Sequence, residues 1–138
     1  MSSSSTRASI DLFDTTLRDG AQMEGLSLTV DDKLRIATKI DELGVKYIEG
    51  GWPGSNPKDE EFFARAPKEL KFRNAELVAF SSTRRAGVVA SHDHNVRALV
   101  KGNTPVALMA GKTWACTCSE QCRTTLDETA GGVRHTVS

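Results

Sequence analysis

The chain has 138 residues and a mass of 15.0 kDa, and its 38% hydrophobic and 26% charged residues are typical of a globular protein. Its 18 basic residues balance 18 acidic ones without any block of like charge, which argues against nucleic acid or an anionic membrane as a partner. Because no apolar run could span a bilayer and the first residues lack the apolar core of a secretory signal, we expect a cytoplasmic protein whose partners are small molecules.

The first predicted strand ends in an unusual concentration of polar chemistry. Residues 1–8 are serine-rich and are expected to form a disordered leader, and residues 10–16 then predict a strand. Arg18, Asp19 and Gln22 follow it directly. Fixed charge at the carboxyl end of a strand is typical of active sites in parallel α/β proteins. An aspartate beside an arginine can hold a hard cation and an anionic oxygen together.

Strands and helices alternate along most of the chain. Thr29 begins a helix with an acidic first turn, Gly44 ends it, and its apolar stripe from Val30 to Leu43 is expected to be buried. The further predicted strands are 45–51, 76–82 and 105–110, and the further helices are about 58–65 and 95–100. Polar or charged residues follow each strand, and Glu49 lies near the end of the second. This alternation predicts parallel βαβ units.

Beyond residue 114 the pattern fails. Residues 115–138 are predicted to be an irregular tail, apart from a possible helical turn near 123–128. The cysteines of the chain, Cys116, Cys118 and Cys122, are odd in number and clustered, which argues against a disulfide framework. We interpret this segment as a local disruption of the coding frame that is later restored. A thiolate metal site is the alternative.

Several motifs resemble those of a known family, the metal-dependent condensing enzymes and lyases also called DRE-TIM metallolyases. Its members include 2-isopropylmalate, homocitrate and citramalate synthases and hydroxymethylglutaryl-CoA lyase. The family signature is Leu-Arg-Asp/Glu-Gly-x-Gln, then ten residues, then Lys; residues 17–22 match it and Lys33 stands at that spacing. Segments 47–59, 81–85 and 111–114 resemble the citramalate synthase branch. The similarity covers about 10–114.

The resemblance implies a TIM (β/α)8 barrel, of which residues 9–114 would form about the first four βα units, the N-terminal half of a catalytic domain. It also implies an acyltransferase that condenses acetyl-CoA with pyruvate, giving (R)-citramalate on a route to isoleucine. A full-length relative is expected to be a homodimer. 2-Isopropylmalate or homocitrate synthase is an alternative that differs in the 2-oxo acid, and a non-catalytic metal or thiol module is another.

The resemblance also assigns roles to individual residues. Asp19 would bind a divalent metal ion such as zinc, manganese or magnesium, and Arg18 would polarise the keto-acid carbonyl and stabilise developing negative charge. Glu49 matches the second-strand carboxylate that supports the chemistry, and Gln22 matches the residue that orients the site. A Claisen-type condensation needs a Lewis acid, a cation near the oxyanion and a base, so these roles agree with the chemistry.

The family supplies its other metal ligands as a His-x-His pair from a late strand. His92-Asp93-His94 resembles that pair but follows the third predicted strand, and we interpret it as a solvated helix cap. We therefore expect the isolated chain to have little or no activity. Arg84 and Arg85 are interpreted either as ligands for a substrate carboxylate or CoA phosphate or as a solvated pair. Trp52 and Trp114 are predicted to be packing residues.

Overall fold

A four-stranded parallel sheet with helices forms the molecule. The computed structural model describes residues 9–115 and 117–137, so the predicted leader lies outside the described residues. The strands are β1 (Phe13–Asp14), β2 (Tyr47–Gly51), β3 (Glu76–Ser82) and β4 (Val106–Ala110), paired in chain order. The helices are α1 (Val30–Glu42), α2 (Pro57–Glu69), α3 (His94–Gly102) and α4 (Leu126–Val137). None of the helices in this part of the chain could cross a membrane. The predicted parallel βαβ alternation is confirmed.

Helix α1 begins where the sequence predicts. The Thr29 hydroxyl accepts a hydrogen bond from the Asp32 amide at 3.1 Å, and the Asp32 carboxylate accepts one from the Thr29 amide at 3.0 Å. This reciprocal capping box satisfies two of the donors that a helix start leaves unpaired. The Thr29 hydroxyl also donates to the Asp32 carboxylate at 2.6 Å, and this bond, with the one from the Thr29 amide, holds the pKa of Asp32 below its ordinary value. Gly44 then turns the chain at φ +80°, which favours glycine.

The core lies between the sheet and the first helices. It is built mainly from apolar side chains of α1, α2, β2 and β3, including Leu34, Ala37, Ile40, Ile48, Phe62, Phe63, Leu77 and Ala79. Leu43 was expected in this core but is 80% exposed, because it lies at the C-cap of α1, where the chain is already turning away. Two charged residues of the same helix, Lys33 and Asp41, are buried instead.

Strand β1 is shorter than the predicted 10–16. It is an edge strand with β2 as its neighbour, and the amides of Lys46 and Tyr47 both donate to the Leu12 carbonyl, at 3.2 and 3.0 Å. Residues 10 and 11 therefore precede the paired region. Helix α2 is longer than the predicted 58–65 and continues past Pro67, because the buried side chains of Phe62, Phe63 and Ala66 hold it against the core.

The tail contains more regular structure than the possible helical turn that was predicted near 123–128. A π-helical turn covers Thr117–Gln121 and is followed by α4. Gly131 and Gly132 lower the helix propensity of α4, so its stability depends on tertiary contacts. The Arg84 guanidinium donates to the Glu128 carboxylate at 2.7 Å, and the Arg84 amide donates to the Thr136 hydroxyl at 3.1 Å. The frame interpretation and the division of the chain at residue 114 stay predictions.

A buried carboxylate ties the end of α1 to the start of β3. Asp41 is 5% exposed, and its side chain accepts backbone hydrogen bonds from Arg73, Asn74 and Ala75, the shortest at 2.8 Å. Burial alone raises the pKa of Asp41, but the three backbone donors together outweigh it and hold the pKa below its ordinary value. Asp41 therefore contributes most to stability when it is ionised.

We expect Asp41→Asn to reduce the free energy of unfolding by about 1–3 kcal/mol, because the amide group brings a donor toward backbone donors and leaves them unsatisfied. Glu42→Gln is the matched control, since its ion pair with Lys39 is exposed on both sides and is worth at most about 0.5 kcal/mol. Urea unfolding at about pH 7 measures both. Equal effects of the two substitutions would contradict the role of Asp41.

The pH dependence has a definite sign. The pKa of Asp41 is lower in the folded chain than in the unfolded chain. Its stabilising effect is therefore complete above the ordinary carboxyl pKa of about 4 and is lost as the pH falls through the folded value. The stability difference between the original chain and Asp41→Asn should be constant from about pH 8 to 5 and should narrow below about pH 4. A difference that widens on acidification would refute this prediction.

Candidate active site

An open cleft lies at the carboxyl ends of β1, β2 and β3. Its volume is about 830 Å³, and its lining residues include Arg18, Gln22, Lys33, Trp52, Asp59 and Phe80. These residues come from the loops after β1 and β2, from the first turns of α1 and α2, and from the end of β3. The carboxyl ends of parallel strands meet at one edge of a sheet, so the sequence-distant charged groups are brought together there.

Arg18 is the central group of this cleft. Its Nε donates to Glu49 Oε2 at 2.8 Å, its Nη1 donates to Asp19 Oδ1 at 3.2 Å, and its guanidinium lies 4.3 Å from the centre of the Phe80 ring. The side chain is 23% exposed. One guanidinium thus joins an exposed carboxylate to a fully buried one, and it remains partly accessible from the cleft.

Glu49 is fully buried, yet only one of its oxygens is hydrogen-bonded. Oε2 accepts from Arg18, whereas Oε1 has no hydrogen-bond partner among the described residues. A buried polar atom without a partner is uncommon and is a frequent feature of functional sites. Oε1 therefore keeps an unused hydrogen-bond acceptor capacity beside Arg18. Glu49 thus contacts Arg18 directly and is linked to Asp19 through the same guanidinium, whereas the roles of the three residues stay predictions.

Asp19 differs from Glu49 in its contact with solvent, since its side chain is 64% exposed. The exposed Asp19 carboxylate offers hard oxygen ligands of the kind that divalent ions such as magnesium and manganese prefer. Residues 9–115 and 117–137 contain no group of three His, Cys, Asp or Glu side chains that could hold a metal ion. The donors fit one edge of a metal site, and further ligands would have to complete it.

Gln22 lies on the short 3-10 turn Gly20–Gln22 beside these groups. Its side chain is exposed and lines the cleft, and its backbone amide donates to the Asp19 carbonyl at 3.0 Å. The structure brings Gln22 to the site through this turn. Its predicted role in orienting a ligand stays a prediction.

Three cleft residues carry no role from the sequence analysis. Lys33 belongs to the signature without an assigned task, and it pairs with Asp59 at 2.5 Å. Asp59 is the third residue of α2, and its only signal in the sequence is its position after the helix cap Asn56. Phe80 has no signal beyond its place in a predicted strand. Trp52 packs edge-on against Phe80, as predicted, with ring centres 5.4 Å apart, but its buried Nε1 has no partner among the described residues.

The packing prediction for the second tryptophan is wrong: Trp114 is 73% exposed because it lies in the irregular stretch after β4. The cysteines do not build a site among the described residues. Cys118 is buried with its Sγ 3.7 Å from the Lys112 carbonyl, Cys122 is exposed, and Cys116 lies outside the described residues.

The predicted helix cap at His92-Asp93-His94 is confirmed in position but not in environment. Asp93 Oδ1 accepts the amides of Asn95 and Val96 at 2.9 and 3.2 Å at the start of α3, and Oδ2 accepts the Arg85 amide at 3.1 Å. The side chain is buried rather than solvated. Burial raises the pKa of Asp93, but these hydrogen bonds outweigh it and lower the pKa below its ordinary value.

The two arginines after β3 have different surroundings. Arg85 is 66% exposed and lies 3.4 Å from the Asp93 carboxylate. Arg84 is 8% exposed and is bound by Glu128. The interpretation of the two arginines as a solvated pair is therefore wrong for Arg84. Within the described chain, the carboxylate that Arg84 binds comes from α4.

Relatives with similar sequences cover most of this chain. The (R)-citramalate synthase of Streptomyces coelicolor is 55% identical over 130 residues, which is 94% of this chain and 24% of that enzyme. The (R)-citramalate synthase of Aquifex aeolicus is 49% identical over 126 residues, 91% of this chain and 24% of that enzyme. A 2-isopropylmalate synthase of Shouchella clausii is 56% identical over 73 residues, 53% of this chain. The chain spans about a quarter of the length of the citramalate synthases.

Solved structures support the fold. A hydroxymethylglutaryl-CoA lyase from Acinetobacter baumannii, in complex with coenzyme A and 3-methylmalate, matches with a TM-score of 0.67 and 15% identity, over 92% of this chain and 40% of the lyase. The lyase of Pseudomonas aeruginosa matches with a TM-score of 0.65 and 18% identity, over 89% of this chain and 39% of the lyase. The chain thus has the architecture of part of a TIM barrel, as predicted.

The HMGL-like family profile matches residues 9–87, which is more than half of the chain and includes Arg18 and Asp19 in the loop after β1 and Glu49 in β2. Four parallel strands in chain order, the signature at the end of β1 and the curated relatives agree with this match. The chain therefore belongs to the HMGL-like family.

Proposed function

We propose that the chain is the N-terminal part of the catalytic domain of an (R)-citramalate synthase, an acyltransferase that condenses acetyl-CoA with pyruvate on a route to isoleucine. The observation that carries the proposal is the contact of one guanidinium, Arg18, with both Asp19 and the buried Glu49 at the carboxyl edge of the sheet. The identity of 43–55% to several (R)-citramalate synthases over most of the chain supports it.

Arg18 acts on the 2-oxo acid. The carbonyl oxygen of pyruvate gains negative charge as the new carbon–carbon bond forms, and a guanidinium fixed beside it stabilises that charge. Glu49 fixes the guanidinium from the interior, and the Phe80 ring supports it from one face. The cation is therefore oriented before the substrate arrives, and little reorganisation is needed during the reaction.

The two carboxylates have separate tasks. Glu49 Oε2 is occupied by Arg18, so Oε1 is the atom that would accept a hydrogen bond or a proton from the substrate. Asp19, on the rim, would hold a zinc, manganese or magnesium ion together with ligands from outside the described residues. When bound, such an ion would supply Lewis-acid polarisation of the 2-oxo acid.

Pyruvate is favoured over larger 2-oxo acids by the extent of the similarity. The citramalate synthases match 86–96% of the chain, whereas the 2-isopropylmalate synthase of Shouchella clausii matches 53%. No observation favours a metal or thiol module over the enzyme. The homodimer and the cytoplasmic location stay predictions.

Because the described residues supply one edge of the metal site, we expect the purified 138-residue chain to release no thiol above background from acetyl-CoA in the presence of pyruvate and Mg²⁺ or Mn²⁺. Thiol release followed with a chromogenic disulfide measures this. Turnover that requires pyruvate and depends on Asp19 would contradict the expectation.

A chimera tests the assignment directly. The chain replaces the matching segment of the Streptomyces coelicolor (R)-citramalate synthase, and we expect the chimera to prefer pyruvate over larger, branched 2-oxo acids.

In this chimera Arg18→Lys should lower kcat by about 10²–10³-fold, because lysine cannot contact both carboxylates and the oxyanion with one planar group. Arg35→Lys, on the exposed face of α1, is the matched control and should leave kcat unchanged. Equal kcat values for the two variants would refute the role of Arg18.

The Arg18–Glu49 ion pair also predicts that loss of the arginine lowers the free energy of unfolding more than loss of the glutamate charge. Arg18→Met leaves the buried Glu49 carboxylate without a cation and should reduce the free energy of unfolding of the chain by about 3 kcal/mol. Glu49→Gln leaves Arg18 partly in solvent and should cost roughly half as much. Arg97→Met, at an exposed site, should change stability by less than about 0.5 kcal/mol. Urea unfolding compares the three, and a larger loss for Glu49→Gln than for Arg18→Met would overturn the order.

A further inference from the structure

Lys33 is part of the family signature, but the mechanism above gives it no task. Its side chain is 3% exposed, its Nζ lies 2.5 Å from Asp59 Oδ1, and the same nitrogen is 4.9 Å from the centre of the Phe62 ring. Because the Lys33 ammonium is already paired with a carboxylate and packed against an aromatic ring, we do not expect it to neutralise the charge of a substrate. The polar contact through which Lys33 can influence the cleft is therefore the one with Asp59.

Asp59 fixes the backbone of Trp52, the first residue after β2. Its second carboxylate oxygen, Oδ2, accepts the backbone amide of Trp52 at 3.0 Å, while its own amide donates to the Asn56 side chain at 2.9 Å in the first turn of α2. Gly51 makes this approach possible, because a Cβ at that position would lie 2.7 Å from Oδ2 and the residue has φ +143°. Lys33 and Asp59 thus join the first turns of α1 and α2 to the end of β2.

From Trp52 the contacts continue to the catalytic groups. The Trp52 ring meets Phe80 edge-on, with ring centres 5.4 Å apart and planes at 76°. Phe80 also contacts the Arg18 guanidinium, which lies 4.3 Å from the ring centre, and Arg18 in turn donates to Glu49. An edge-on aromatic pair and a cation over a ring both depend on orientation, so a change in one alters the next.

We propose that Lys33 is a positioning residue for Arg18. It fixes the Asp59 carboxylate, which fixes the backbone of Trp52, and the Trp52 ring then supports the Phe80 ring on which the Arg18 guanidinium lies. The importance of this series of contacts for catalysis rests on the function proposed above. The existence of these contacts does not rest on that function, because the position of Arg18 can be measured without turnover.

The experiment reads the Arg18 Nε–H group by ¹H–¹⁵N NMR of the chain. Arg18→Lys identifies its resonance, and Trp52→Phe separates the Trp52 indole signal from that of the exposed Trp114. We expect Asp59→Ala to shift both signals and to speed hydrogen exchange of the Arg18 Nε–H by about tenfold, as for the loss of about one buried hydrogen bond. Lys33→Met should act in the same direction, to a smaller extent.

Asp41→Asn is the matched control. It also removes a buried carboxylate that accepts backbone amides, but it lies at the opposite end of α1 from Lys33. We expect it to lower stability and to leave the Trp52 and Arg18 signals unchanged. If Lys33→Met and Asp59→Ala lower stability without moving the Arg18 signal, Lys33 is merely structural and the proposal is wrong.

A second variant decides the matter if the loss of the buried pair prevents folding. Trp52→Leu keeps Lys33 and Asp59 together and removes the ring that supports Phe80. The proposal requires a shift of the Arg18 Nε–H signal in this variant, and an unmoved signal overturns it. An inactive chimera combined with a responsive Arg18 signal would refute the proposed function and leave the positioning role intact.

Discussion

The ion pair between Arg18 and Glu49 is the interaction on which the site and much of the sheet edge depend. A carboxylate with no solvent exposure is costly unless a cation and hydrogen bonds compensate for its lost hydration. The only cation it contacts in the described chain comes from the loop after the neighbouring strand. Pairing of β1 with β2 is therefore linked to formation of the cleft. The two-residue edge strand β1 is therefore held in register partly by the Arg18–Glu49 ion pair, which lies beyond the end of the strand.

Buried and largely buried carboxylates perform a common task elsewhere in the structure. Asp41, Asp59 and Asp93 each accept backbone amides from a segment outside their own helix. A carboxylate accepts several donors at once, and such charge-assisted bonds are stronger than neutral ones. Loops that would otherwise be mobile are thus fixed without a large apolar core, which a small sheet with two edges cannot provide. The loops after β2 and β3 gain defined positions in this way.

Patterns with a local cause were predictable from the sequence. The start of α1 at Thr29, the turn at Gly44 and the alternation of strand and helix all depend on neighbouring residues, and the structure has each of them. The meeting of Arg18 with Glu49 was also predictable, because parallel strands in chain order place their carboxyl ends together. This inference needed the topology as well as the residues.

Features with a tertiary cause were not predictable. Helix α4 contains two glycines and owes its place to Arg84 and Glu128, which are 44 residues apart. The burial of Asp41 reflects amides that lie more than 30 residues away, so an apolar stripe cannot reveal it. Phe80 carries no polar signal at all, yet its ring supports the central guanidinium. Such residues become visible only when the sheet brings the strand ends together.

The different exposures of Asp19 and Glu49 explain how one arginine can serve two purposes. Glu49, enclosed, gives the guanidinium a fixed anchor, whereas Asp19 is mostly exposed and would be accessible to the metal ion of the function proposed above. β1 and β4 have one neighbour each within the described chain, and the matching lyases continue well beyond the matched part. A barrel continued from these two edges would close around the mouth where Arg18, Asp19 and Glu49 lie. The exposed side of Asp19 is thus the side from which additional ligands could approach, whereas the anchored side of Arg18 is already complete.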